Sequence, residues 1–240
     1  MIVIFSLIFI STTGVSLYIY RHAGVIRNVP ELEIMKGNER RGMWAEYCDR
    51  GYQFDKDFSS NGIPHWLVIG NSFGRDWVNI ISESKIADKV EVSYMDDVAL
   101  NKDHSERFYN ADAIFISTLG LNQELIEKVK DLCNENCKLY VIGEKNFGEC
   151  NGQVYRQRFS KDYYQMTVEV GQDYVEKNIA LKSLYPDIYI DMIDLVSSGD
   201  GRVRVFTDNG CVISQDCRHL TKSGAEYYAK LIDWDKFISL

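Results

Sequence analysis

Residues 67–77 read LVIGNSFGRDW, and this stretch decides the fold class. It starts with an apolar run and continues through Gly70, Asn71 and Ser72 into residues that fit an amphipathic helix. A continuous apolar run followed by a helix is typical of a buried strand in a parallel sheet. In such sheets, ligands bind at the carboxyl ends of the strands. Ser72 therefore has two interpretations: a small residue that the turn needs, or a nucleophile presented at the edge of the sheet.

The same alternation continues through the rest of the chain. Apolar runs predict strands at 65–70, 89–95, 111–118 and 138–143, and amphipathic patterns predict helices at 75–85 and 122–136. This alternation predicts a three-layer α/β/α domain with a parallel sheet, which we place at residues 61–240. The C-terminal part adds a predicted helix at 161–183 and an apolar run at 187–196. A hairpin is predicted at 202–214, with its turn at 208–210. A final helix is predicted at 223–237, where Ser223 and Glu226 have the spacing of a capping box.

Composition narrows the class of protein. The 240 residues carry a net charge of −8 and a pI of about 5.1, which argues against a general nucleic-acid binder. The sequence shows no repeat of solenoid length. Six cysteines make an even count that is compatible with disulfides in an oxidising compartment. They form no CxxC pair and no HxxxH motif is present, so the sequence predicts no zinc site.

The N-terminus differs from the rest of the chain. Residues 2–20 carry no charge, and about 20 apolar residues suffice to cross a bilayer, so we predict a transmembrane helix over residues 1–20. A cleaved signal peptide and a buried core helix are the alternatives. Arg21 and Arg27 follow the apolar run, and the positive-inside rule alone would keep the rest of the chain in the cytoplasm. Residues 21–60 are charged and contain several glycines, so we expect a connector that covers or tethers the domain.

A serine nucleophile needs a base, and the base needs an orienting group. The chain has four histidines, of which His22, His65 and His104 fit surface or packing positions. His219 differs, because Asp216 lies three residues before it and just ahead of the final helix. In a turn-like segment this spacing places the carboxylate on Nδ1 and leaves Nε2 for a serine. The alternative is a solvated loop in which the two residues only cap the helix, and both interpretations stay open at this point.

Two blocks of the sequence together resemble the SGNH (GDSL-like) hydrolase superfamily. VIGNSFGRDW (68–77) is similar to its first block, in which the serine follows the first strand, and DCRHLTKSGA (216–225) is similar to its last block, D-x-x-H. A narrower resemblance is to the SGNH domain attached to acyltransferase-3 membrane proteins, which acylate sugars of surface polysaccharides such as O-antigen. Three stretches carry it: AGVIRNVPELE (23–33), VIGEKNFGECN (141–151) and ISQDCRHLTKSGAEYYAKL (213–231). It covers nearly all of the chain after the apolar run and implies a flavodoxin-like SGNH-hydrolase fold.

The resemblance implies a role for each site residue. Ser72 is expected to be the nucleophile, His219 the general base and Asp216 its orienting partner. The expected oxyanion hole consists of the backbone N–H of Ser72, the N–H of Gly120 and the side-chain amide of Asn146. Loss of one oxyanion donor typically costs about 2.7–4 kcal/mol of transition-state stabilisation, so each assignment is open to test.

The chain departs from the superfamily pattern in two ways. Asn71 and Phe73 stand where the superfamily usually has Asp before the serine and often His after it. The third block is not the plain G-x-N-D form, so a turn asparagine is the alternative interpretation of Asn146. Asp76, near the start of the predicted helix, is explained by the helix dipole.

The resemblance also implies a reaction. An acyl group, expected to be acetyl, would pass through Ser72 to a polysaccharide hydroxyl, with no metal and no bound cofactor. The donor would derive from acetyl-CoA and come through an acyltransferase-3 membrane domain that is missing from this chain or separately encoded. The catalytic domain would lie in the periplasm on a single-pass anchor in the bacterial inner membrane, because earlier helices of a multi-span protein fix its orientation. The alternatives are an esterase with the same triad and a silent glycan-binding module, in which some of the 15 tyrosines and 4 tryptophans would stack on sugars.

Overall fold

The structure is a computed structural model that describes residues 2–21, 43–59, 62–101, 105–149 and 160–238. Within these ranges the strands are β1 His65–Ile69, β2 Glu91–Met95, β3 Ala113–Ile116, β4 Lys138–Ile142, β5 Thr167–Glu169, β6 Tyr189–Ile190 and β7 Arg202–Arg204. The α-helices are α1 Ile2–Arg21, α2 Met43–Asp49, α3 Ser72–Ser82, α4 Ser105–Tyr109, α5 Gln123–Leu132, α6 Gln172–Leu184, α7 Lys222–Leu231 and α8 Asp235–Ile238.

The central sheet has five parallel strands in the order β2-β1-β3-β4-β6. Residues 66–69 of β1 are fully buried. The register places Ile69 beside Met95 of β2 and Ile116 of β3, so these three strands end at the same edge. A strand that is buried on both faces needs a continuous apolar run, which is the pattern that the sequence shows. The predicted three-layer α/β fold with a parallel sheet is confirmed.

Side chains of β1 alternate between two hydrophobic cores on opposite faces of the sheet. Trp66 and Val68 pack into the first core, together with residues of α3 and α7. Leu67 and Ile69 pack into the second core, together with residues of α5 and α6. Because successive side chains of a strand point to opposite faces, one apolar run holds both helix layers.

The predicted helix at 161–183 is wrong over its first half. Residues 167–169 form β5, which pairs antiparallel with β7, and α6 begins only at Gln172. The alternating sequence Thr-Val-Glu-Val at 167–170 fits such a two-stranded ribbon. Its partner strand begins at Arg202, so far along the chain that the local spacing of apolar residues cannot reveal the pairing.

The C-terminal part contains the predicted hairpin and a corrected helix start. After β7 the chain forms an antiparallel bridge around a turn, in which Gly210 has a φ of +75°. The final helix begins at Lys222, and its cap is Thr221, whose hydroxyl oxygen accepts the N–H of Gly224. Because the N-cap is the residue directly before the first helical position, it is Thr221 and not Ser223. The predicted capping box on Ser223 is therefore wrong.

The N-terminal residues form α1, a helix of 20 residues whose large apolar side chains are exposed. Among the described residues, no helix meets both the length and the apolarity needed to cross a membrane. The predicted transmembrane role of residues 1–20 is therefore not confirmed. Most of the predicted connector, residues 22–42, lies outside the described residues. Its last part, α2 and the turn at Arg50–Phe54, packs on α3, where the Asn79 amide donates to the Tyr47 carbonyl (2.8 Å).

Candidate active site

The turn between β1 and α3 presents Ser72 at the carboxyl edge of the sheet. A Cβ on Gly70 would lie 1.8 Å from the Ser117 carbonyl oxygen, so only glycine permits this close approach of two chain segments. Asn71 is the N-cap of α3, and its Oδ1 accepts the N–H of Phe73 (3.1 Å). The same side chain accepts the Leu119 N–H (3.2 Å) and donates to the Leu119 carbonyl (3.1 Å). Asn71 therefore fixes both the start of α3 and the segment that follows β3.

Ser72 is hydrogen-bonded to His219, although 147 positions separate them in the chain. The Ser72 Oγ to His219 Nε2 distance is 2.7 Å, and His219 Nδ1 lies 2.6 Å from Asp216 Oδ2. Because the carboxylate accepts at Nδ1, the proton of the neutral imidazole is on Nδ1, and Nε2 is the acceptor for the serine hydroxyl. The structure thus brings together the three residues that the sequence singled out. Neither Asp216 nor His219 caps α7, since Thr221 takes that position.

Asp216 is held as a carboxylate by the loop around it. Burial alone would raise the pKa of Asp216, but hydrogen bonds from the His219 ring and from the N–H groups of His219 (2.8 Å) and Arg218 (3.1 Å) outweigh burial and lower the pKa to about 2. A carboxylate that stays ionised at neutral pH stabilises the imidazolium that forms when His219 takes a proton.

Cys217 lies between Asp216 and His219 and fixes the loop of residues 216–219, which we call the triad loop. It is disulfide-bonded and has a φ of +68°, a conformation that a residue with a side chain adopts only where its surroundings hold it. Its carbonyl oxygen accepts the N–H of Phe147 (2.9 Å), which ties the loop to the segment after β4. The other cysteines that the structure describes are free thiols: Cys48, Cys133, Cys137 and Cys211.

Residues 144–147, which follow β4, contact several different parts of the molecule. Glu144 is buried and accepts the N–H groups of Gly120 (2.9 Å) and Leu121 (3.0 Å) as well as the ammonium group of Lys177. It therefore ties the segment after β3 to α6. Together with the Phe147 bond to the triad loop, these contacts make residues 144–147 a junction at the carboxyl edge of the sheet.

Lys145 connects this junction to α3, the helix that begins at Ser72. Its Nζ lies 2.9 Å from Asp76 Oδ2, and the side chains are only 3% and 1% exposed. The same Asp76 oxygen accepts the N–H of Leu220 (3.1 Å), the residue after His219. Lys145 Nζ also lies 3.7 Å from the centroid of the Phe73 ring. One buried ion pair thus holds α3, the junction and the triad loop in register.

The sequence interpretation missed this pair. It explained Asp76 by the helix dipole, but Asp76 lies beyond the first turn of α3 and is buried against a lysine. A usable signal was present: Asp76 lies seven residues after the end of β1 and Lys145 lies three residues after the end of β4, and both strands end at the same edge of a parallel sheet.

The three expected oxyanion donors differ in their availability. The N–H of Ser72 is at the first position of α3, where no intrahelical carbonyl accepts it. Asn146 is 7% exposed, and its Oδ1 accepts the N–H groups of Gly148 and Gly171 (3.0 Å each). Its Nδ2 has no hydrogen-bond partner among the described residues, so the amide both forms the turn and keeps a donor. The Gly120 N–H already donates to Glu144, which leaves it no hydrogen for an oxyanion in this conformation.

Comparison with known proteins supports the fold. The sequence matches no protein-family model and no curated protein. Among solved structures, the chain is similar to the periplasmic domain of a lipopolysaccharide acetyltransferase from Salmonella ser. Paratyphi A. The two share 15% sequence identity with a TM-score of 0.61, and the match covers 82% of this chain and 100% of that domain. The resemblance predicted from the sequence motifs is thus confirmed in three dimensions: the chain has the fold of an acetyltransferase periplasmic domain.

Proposed function

We propose that the chain transfers an acetyl group to a hydroxyl of a cell-surface polysaccharide through an acyl-enzyme on Ser72. The observation that carries the proposal is the hydrogen-bonded series Ser72–His219–Asp216 on the fold of a lipopolysaccharide acetyltransferase domain. Nucleophile, base and orienting carboxylate in this order are the parts that acyl transfer requires.

In the first half-reaction Ser72 Oγ attacks the acyl carbonyl, and His219 Nε2 takes the serine proton. The developing oxyanion accepts hydrogen bonds from the Ser72 N–H and from Asn146 Nδ2, and the positive end of α3 stabilises it. The leaving group of the donor then departs with the proton from His219. In the second half-reaction a sugar hydroxyl gives its proton to His219 and attacks the acyl carbon, and the proton returns to Ser72 as the ester leaves.

The triad and the oxyanion donors supply the electrostatics of this scheme, so it needs no metal and no bound cofactor. The proposal requires a membrane partner of the acyltransferase-3 type that delivers an acetyl group derived from acetyl-CoA. It also places the domain in the periplasm, with residues 1–20 as a single-pass anchor in the inner membrane. The disulfide at Cys217 supports an oxidising compartment.

Intact mass spectrometry of the full-length chain with 4-nitrophenyl acetate tests the nucleophile. We expect a transient acetyl adduct on the wild-type protein and none on Ser72→Ala. Ser82→Ala is the matched control, because Ser82 lies on the same helix and its hydroxyl donates only to the Val78 carbonyl (2.8 Å). An adduct that persists in Ser72→Ala, or its absence from wild type even with the membrane partner present, would refute the proposal.

The fate of the acetyl group separates the two enzymatic reactions. With polysaccharide present, a transferase converts the adduct into an O-acetyl sugar, whereas an esterase releases acetate at a rate that the polysaccharide does not change. Release as acetate alone would favour the carbohydrate esterase, which uses the same three residues.

A further inference from the structure

A polar cleft of about 780 Å³ opens beside the junction. One wall consists of Asn146, Gly148 and Glu149, and the other consists of residues 166–171 with Asp173, Tyr174 and Arg202. Ligand sites in proteins are typically about 300–1,000 Å³, so the cleft has room for a short stretch of a glycan.

Two contacts place the inner end of this cleft at the triad loop. Phe147, next to Asn146, donates its N–H to the carbonyl of Cys217 (2.9 Å). The Arg218 guanidinium, on the residue directly before His219, lies close enough to the Tyr174 hydroxyl to offset part of the burial that raises the Tyr174 pKa. A ligand in the cleft therefore lies beside the loop that carries the base.

Asn146 gives the cleft a buried polar group with a free donor. Its Oδ1 is occupied by the N–H groups of Gly148 and Gly171, two residues that line the cleft. The residue is 7% exposed, nothing among the described residues accepts a hydrogen bond from Nδ2, and Nδ2 is not one of the fully buried side-chain atoms that lack a partner, so it is accessible to a ligand. An amide nitrogen carries two hydrogens, so Nδ2 can donate one to the oxyanion of the proposed reaction and the other to a ligand in the cleft.

The charge of the cleft indicates the class of ligand. Three lining residues carry exposed carboxylates: Glu149, Glu169 and Asp173. Arg202 is the basic residue among the described lining residues, and it is already bound, with Nε on the Thr167 hydroxyl (2.9 Å), Nη2 on the Thr167 carbonyl (2.7 Å) and Nη1 on Glu169 (3.1 Å). The described lining of the cleft is therefore rich in acceptors for hydroxyl groups, and its one cationic side chain is already paired. The half-buried ring of Tyr174 adds an apolar face on which a pyranose can stack.

A metal site is the other ligand class that carboxylates suggest. Across the described ranges, no three His, Cys, Asp or Glu side chains lie close enough together to hold a metal ion.

We propose that this cleft binds the acceptor, and that the acceptor is an uncharged sugar unit. The carboxylates accept hydrogen bonds from its hydroxyl groups, and one further hydroxyl faces His219. That oxygen bonds to the acyl carbon as the bond from Ser72 Oγ to this carbon breaks, and its proton moves through His219 to Ser72. The identity of the ligand as the acceptor depends on the proposed function, whereas binding to the cleft does not.

Calorimetry on the full-length Ser72→Ala chain tests binding separately from catalysis. The probes are uncharged trisaccharides of glucose, mannose and galactose, with trigalacturonic acid as their anionic counterpart. We expect at least one uncharged probe to bind and trigalacturonic acid not to bind. Because a hydrogen bond to a charged group contributes about 1.5–3 kcal/mol, Asp173→Asn and Glu149→Gln should each weaken this binding about 10-fold or more.

Asp187→Asn is the matched control. Asp187 is exposed and lines a different cleft, of about 570 Å³, beside β6 and α8. The proposal is overturned if no uncharged probe binds, or if trigalacturonic acid binds more tightly than every uncharged probe. It is also overturned if Asp187→Asn and Asp173→Asn weaken the binding equally. If an uncharged probe binds the cleft but no acetyl adduct forms on the wild-type chain, the cleft proposal stands and the proposed function fails. If an adduct forms but no uncharged probe binds, only the cleft proposal is rejected.

Discussion

The triad and the junction at residues 144–147 lie at the same edge of the sheet but are held in different ways. His219 and Asp216 have side chains that are 14% and 26% exposed, and the Asp216 carboxylate accepts its hydrogen bonds from Ser214, Arg218 and His219, its near neighbours in the chain. Lys145 and Glu144 are almost fully buried, and the junction contacts α3, α6, the segment after β3 and the triad loop. This difference indicates that replacing His219 or Asp216 costs less stability than replacing a buried residue of the junction.

The largest effect should come from His219→Ala, with loss of activity and a limited loss of stability. Without the base, we expect acetyl transfer to fall by about 10⁴-fold or more. Asp216 keeps its backbone hydrogen bonds but loses the one from the His219 ring, so the free energy of unfolding should fall by at most about 2 kcal/mol. Transfer assays and urea unfolding measure the two quantities. His65→Ala, at a histidine that stacks on Phe58, should not affect transfer, and an equal loss there would contradict a specific role of His219.

For Lys145→Met we expect a large loss of stability. This change leaves the Asp76 carboxylate buried without its counter-charge, which typically costs about 3–5 kcal/mol of unfolding free energy. Lys85→Met is the control, because the ion pair of Lys85 with Asp235 is exposed and should contribute at most about 1 kcal/mol.

A double change sharpens the interpretation of the pair. Asp76→Leu combined with Lys145→Met removes both charges, so it should recover part of the stability that the single Lys145→Met variant loses. If Lys145→Met unfolds at the same urea concentration as wild type, the junction does not support the site as we describe it.

The same contrast explains what the sequence could predict. The strands β1 to β4 and the helices α3 and α5 were predictable because buried parallel strands need continuous apolar runs, and Asp216 with His219 formed a local pair at a recognisable spacing. The Asp76–Lys145 pair and the pairing of β5 with β7 were missed, because each depends on partners far apart in the chain. The start of α3 at Ser72, earlier than the predicted Arg75, follows from the side-chain cap that Asn71 provides.

Asn146 lies where the two regions meet, and Asn146→Asp separates its two roles. The carboxylate keeps an acceptor for the N–H groups of Gly148 and Gly171, but it cannot donate to an oxyanion. We expect acetyl transfer to fall by about 10²–10³-fold, the usual cost of one oxyanion donor, and urea unfolding measures separately what the partly buried carboxylate costs in stability. If Asn146→Asp transfers acetyl at the wild-type rate, Asn146 only forms the turn and is not an oxyanion donor.

The smallest effect is a pH dependence of stability that comes from Asp216. Its pKa is about 2 in the folded protein, below the ordinary value of 3.8, so the folded state favours the carboxylate. Its contribution to stability, about 2 kcal/mol, is therefore present above about pH 4 and is lost as the pH falls towards 2. The free energy of unfolding of wild type should exceed that of Asp216→Asn by this amount at pH 6, and the difference should shrink between pH 4 and pH 2. Asp187→Asn controls for the loss of one exposed carboxylate. A difference that stays constant from pH 6 to pH 2 would mean that the hydrogen bonds of the triad loop do not hold Asp216 in its charged form, and the electrostatic basis for the base role of His219 would then be lost.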